Sequence, residues 1–80
     1  MALWIFTAEY DAEARVWWTF NADLGIATES ETLEGLAGRL DVMVPVMVGE
    51  NAALLTEEQR REPHEFRLIA HHEMQRRAAA

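Results

Sequence analysis

The chain is 80 residues long, carries a formal net charge of −7 and contains no cysteine. One domain is expected, and a domain of this size buries only about 60% of the surface its unfolded chain exposes, leaving a net stability of roughly 3–5 kcal/mol from its own core. Disulfides and thiolate zinc sites are excluded, so oligomerisation becomes the expected reinforcement. Up to Leu55 nine carboxylates face Arg15 and Arg39, and beyond it five carboxylates face five arginines. An acidic first half lacks the clustered cations that a phosphate backbone rewards, so direct nucleic-acid binding is not expected. No long apolar span and no signal-peptide pattern are visible, which points to a cytoplasmic protein without membrane attachment.

In chain order, Leu3 to Glu9 alternates between two apolar faces with β-forming residues throughout and predicts a strand. Tyr10 to Arg15 is a polar connection, and Val16 to Asn21 is the returning strand of a hairpin. Asn21 to Gly25 predicts a turn and Ile26 to Glu29 a short third strand. Ser30 or Thr32 can cap a helix whose apolar stripe is Leu33, Leu36, Ala37, Leu40, Met43, Val44 and Met47. Pro45 lies inside that stripe and predicts a kink or break. Gly49 to Asn51 ends the helix, and Asn51 to Pro63 is either a helical turn or a mobile loop. His64 to Met74 alternates again and predicts the last strand. The expected fold class is α+β: a small antiparallel sheet in the order β-β-β-α-β with one helix on one face, a single domain over residues 1–75 and a disordered tail over 76–80.

One helix covers one face of such a sheet. Consecutive side chains of a strand point to opposite faces, so Trp17 and Trp18 must separate. Val16, Trp18 and Phe20 are assigned to the helix-covered core with Leu33, Leu36 and Leu40. Trp17 is assigned to the uncovered face, with Trp4 or Ile5, Ile69 and Arg67 beside it. Trp4, Trp17, Arg67 and Ile69 are therefore the candidate protein-interface residues, because an apolar patch on a small domain marks an interface. The plain alternative is that Trp17 is a solitary exposed aromatic, or lies under the 51–63 loop.

No catalytic, cofactor or metal site is expected. His71 and His72 are adjacent and point to opposite faces, His64 lies too far along the chain, and Glu73 with His71 gives two ligands where a catalytic zinc needs three. The carboxylates Glu9, Asp11, Asp23, Glu29 and Glu34 could pair around magnesium, but their positions in turns and in the first turn of the helix account for them. Phosphate loops, nucleophile elbows and cysteine nucleophiles are absent from the sequence.

The run VWWTF, ADLG, IATES and ETLEGL, from Val16 to Leu40, resembles the N-terminal domain of HicB-type antitoxins and a family of short bacterial proteins related to them. YDAEARVW upstream and FRLIAHHE downstream fit the same pattern, so the resemblance covers the greater part of the chain. It implies a partly degraded ribonuclease H-like or double-stranded-RNA-binding-domain-like fold. It also implies a non-enzymatic module that binds and blocks a small RNA-cleaving toxin. The chain ends where the family's DNA-binding domain would begin, so operator binding is not expected. The combined reading is a HicB-like protein-binding module, a homodimer or tetramer with a small basic toxin as partner. The alternatives are a structural homo-oligomer of other role and a remnant carboxylate and magnesium hydrolase.

Overall fold

The structure is a computed structural model and describes residues 2–71, with His71 described by its backbone alone. The expected strand residues 72–74 and the expected tail over 76–80 lie outside the described residues. Three strands, β1 (Ala2–Asp11), β2 (Val16–Asn21) and β3 (Ile26–Ser30), form a meander. A helix, α1 (Leu33–Glu50), follows, then a single 3-10 turn at Ala52–Leu54, a one-turn helix α2 (Glu57–Arg60) and the strand β4 (His64–His71). The sheet order is β3-β2-β1-β4. This is the expected α+β architecture, with α1 on one face.

One pairing departs from the expectation. β4 lies parallel to β1, in unbroken register from Ala2 against His64 to Glu9 against His71. The sheet is therefore mixed, not wholly antiparallel. The cause is the connection: a strand that returns after a helix has crossed the sheet runs parallel to the strand it joins, whereas the short turns of the meander enforce antiparallel neighbours.

Local chemistry sets each turn. Asp11 closes the first hairpin by accepting the Glu13 and Ala14 amides on Oδ1 at 3.0 and 3.2 Å, and Arg15 completes it at φ 58°. Asn21 Oδ1 accepts the Leu24 amide at 3.0 Å in the second turn, and Gly25 takes φ 65°, where a side chain would be strained. Thr32, not Ser30, caps α1 through Oγ1, which accepts from the Gly35 amide at 2.9 Å. At the other end the Asn51 side-chain amide donates to Met47 O at 2.8 Å and Leu24 O at 3.1 Å, so the helix terminus is tied to the β2–β3 turn.

α1 buries Leu36, Leu40, Val44 and Val48. The stripe steps by four, and Leu33, Met43 and Met47 flank it half-buried. Pro45 is exposed and α1 runs unbroken through it. A break there would tear Val44 and Val48 from one continuous contact with the sheet, and that packing outweighs the lost bond to the Asp41 carbonyl. Beneath the helix sit Trp4, Phe6, Leu24 and Ile26, with Leu55 closing one end. The 51–63 segment is the helical turn of the two expectations: Thr56 and Gln59 form a reciprocal capping box, and Arg60 Nη1 donates back to the Ala52 and Leu55 carbonyls at 2.9 and 2.6 Å.

Candidate protein-binding face

The hairpin register decides which tryptophan faces the helix. Tyr10 pairs with Trp17 and Glu9 with Trp18, so the even-numbered residues of β1 share a face with the odd-numbered residues of β2. Trp4 and Phe6 lie in the core, and Trp17 and Thr19 are therefore on the helix side with them. Thr19 is buried, with its hydroxyl donating to Thr7 O at 2.9 Å, which satisfies a polar atom that would otherwise cost roughly 1–3 kcal/mol to bury. Trp17 is half-buried and packs on the Tyr10 ring at 5.1 Å.

Four sequence expectations are corrected. Trp18 and Phe20 are not core residues; with Val16 they stand on the uncovered face. Trp17 is not on that face. Trp4 is buried under the helix, its indole N–H without an acceptor among the described residues, and is no interface residue. Leu33 is half-buried, not fully within the core, while Leu36 and Leu40 are buried as expected. Arg67 and Ile69 do lie on the uncovered face, in register with Ile5 and Thr7. The exchange of Trp17 and Trp18 has a physical source: a strand's side chains alternate with period two, so a one-residue difference in hairpin register exchanges its faces.

The face that results is apolar at its centre. Leu3, Ile5, Trp18, Phe20 and Ile69 are each between 44% and 61% exposed, large side chains held by the sheet but left uncovered. A shallow groove of about 430 Å³ runs beside Trp18 and Phe20, floored on β3 by Ala27 and Thr28. Carboxylates rim it. Trp18 pairs with Glu9 on one side and Glu29 on the other, and Glu65 pairs with Leu3. Arg67 is the basic residue of β4 on this face. An apolar centre with a charged rim is the anatomy of a protein interface, and aromatic residues at such a centre supply much of the binding energy where they occur.

The remaining candidates are dispersed. Asp11 closes a turn, Asp23 sits in another and Glu34 occupies the first turn of α1. His64 Nε2 lies 2.9 Å from Arg60 O at the start of β4. Among the described residues no three His, Asp or Glu side chains come close enough to hold a metal ion. The side chains of His71, His72 and Glu73 lie outside the described residues. No helix among the described residues is long and apolar enough to cross a membrane.

Residues 3–79 match the family model described as Domain of unknown function (DUF1902), and the chain belongs to that family. It is similar to the crystal structure of hypothetical protein TTHA1013 from the extremely thermophilic bacterium Thermus thermophilus. The two share 38% identity over 90% of this chain and 96% of that one, with a TM-score of 0.73. No curated protein matches at a significant level.

Proposed function

We propose that this chain is a non-enzymatic, cytoplasmic protein-binding module whose open sheet face seats a small basic RNA-cleaving protein and blocks its RNA-binding surface. The observation that carries the reading is the uncovered cluster of Leu3, Ile5, Trp18, Phe20 and Ile69. Covering Trp18 and Phe20 removes on the order of 100–200 Å² of apolar surface from water, about 3–5 kcal/mol at ~25 cal/mol per Å². That is the scale of an interface anchor, not of a scattered surface residue. The net charge of −7 and the rim of Glu9, Glu29 and Glu65 favour a basic partner and speed its approach. The sequence resemblance to HicB-type antitoxins supplies the partner's class.

The test begins at the neighbouring gene, where the reading requires a small basic protein to be encoded, and proceeds by co-expression of the two; a neighbour of any other kind counts against the reading. The reading expects a stable complex that no longer cleaves RNA, and loss of both complex and protection on Trp18→Ala. A neighbour that does not bind, or one that binds the variant as tightly as the parent, overturns it.

A further inference from the structure

The outer edge of β4 is a second unused surface, separate from the open face. β4 is the last strand of the sheet, paired on its inner side to β1 over its whole length and on its outer side to no described strand. Every second residue therefore presents a backbone N–H and C=O outward. Of the usual protections of an edge, β4 carries only charged side chains, Glu65 and Arg67: HEFRLIAH contains no proline, glycine or lysine, and its unbroken register leaves no bulge to twist it away. The opposite edge, β3, is shorter at 5 residues and leads directly into the capped helix.

The core also thins toward β4. Trp4 and Phe6 on β1 are buried, but their register partners Phe66 and Leu68 are only half-buried, although both pack against the core. Phe66 holds an edge-to-face contact with Phe6 at 6.0 Å and is still only half-buried. A further strand laid along β4 would finish this part of the core.

We infer that the occupant is β4 of a second copy, running antiparallel about a twofold axis normal to the sheet, so that two four-stranded sheets become one of eight strands. Such an axis keeps both open faces on the same side, and open-face residues then meet open-face residues across the junction. The charges choose the register. Centred on Arg67, the pairing opposes Arg67 to its own copy. Centred on Leu68, it opposes Arg67 to Ile69. Centred on Phe66, it sets Glu65 against Arg67 twice, once in each direction, and Phe66 against Phe66 on the helix side. That arrangement is self-complementary, as a twofold contact requires. Arg67 and Glu65 are both exposed, and neither is engaged in an ion pair among the described residues. The junction leaves Trp18, Phe20, Glu9 and Glu29 of the open face uncovered and shares with the surface proposed for the basic partner only Glu65 at its rim.

The experiment is sedimentation equilibrium of the full chain over a concentration series, with Glu65→Arg, Arg67→Glu and the double exchange alongside the parent. Far-UV circular dichroism checks that each is folded, which substitution at two exposed positions is expected to preserve. The parent should be a dimer. Each single variant places like charges in both cross-strand pairs and should weaken dimerisation by about tenfold or more, and the double exchange should return it to within about threefold of the parent. A parent that is monomeric throughout, or a dimer indifferent to these exchanges, overturns the inference. Trp18→Ala separates the two surfaces: it should leave the mass unchanged, and a dimer that dissociates on this change alone would place the self-interface on the open face instead.

Discussion

The two faces of the sheet are built from equally apolar side chains and meet different fates. On the covered side Trp4, Phe6 and Ile26 are sealed by Leu36, Leu40, Val44 and Val48 of α1. On the other side Leu3, Ile5, Trp18, Phe20 and Ile69 are held by the same sheet and left uncovered by the described residues. Hydrophobicity alone does not tell them apart. What separates them is which side the β3-to-β4 crossover passes over. A side chain under α1 contributes to folding, and an equivalent one on the opposite side is available to a partner. Substitutions on the two sides should therefore separate stability from binding.

The largest effect is expected from Phe6→Ala, which hollows the centre of the covered side. Large-to-small changes of this kind cost about 3–5 kcal/mol, comparable to the whole margin of a domain this small. The variant should be largely unfolded by circular dichroism at 25 °C. Asn51→Ala removes both bonds that fasten the end of α1 to Leu24 and Met47, and should cost about 1–2 kcal/mol, read as a fall in the urea midpoint with an unchanged slope. Thr19→Val keeps the volume but deletes the hydroxyl bond to Thr7 O. A loss of about 1 kcal/mol is expected, or about 4–8 °C in Tm, and an unchanged Tm would mean that the bond does not hold β2 to β1. Trp18→Ala, on the open side, should cost about 1 kcal/mol or less despite removing the largest side chain type. A loss as large as that of Phe6→Ala would erase the distinction between the faces.

Much of this fold was legible in the sequence. The three strands of the meander, the helix and the final strand all follow from periodicities of two and of three to four, and the NADLG turn from its Asn and Gly. What did not follow was parity. Trp17 and Trp18 were certain to part, but their assignment rests on the closing pair of the first hairpin. The sequence DAEAR admits neighbouring registers that differ by one residue and exchange the faces. Thr19 carried the missing signal: it lies between Trp18 and Phe20, and is the less suitable core residue by hydropathy until its hydroxyl finds the Thr7 carbonyl. Ile69 and Arg67 were placed on the open side because β4 alternates cleanly. Trp4 was misplaced because both faces of β1 are apolar, so composition could not choose between them. The parallel pairing of β4 and the unbroken passage of α1 through Pro45 are tertiary outcomes, fixed by the crossover and by packing on both sides of the proline.

The proposed division of labour, an open face for binding and a covered face for folding, is tested most directly by calorimetry. The small basic protein that the proposed function requires beside this gene is titrated into the parent and into Trp18→Ala, with the Tm of each measured on the same samples. Affinity should fall at least about thirtyfold, as removal of an interface anchor gives, with Tm lowered by no more than about 8 °C. Equal affinities for parent and variant, or a variant too unstable to titrate, would contradict that division.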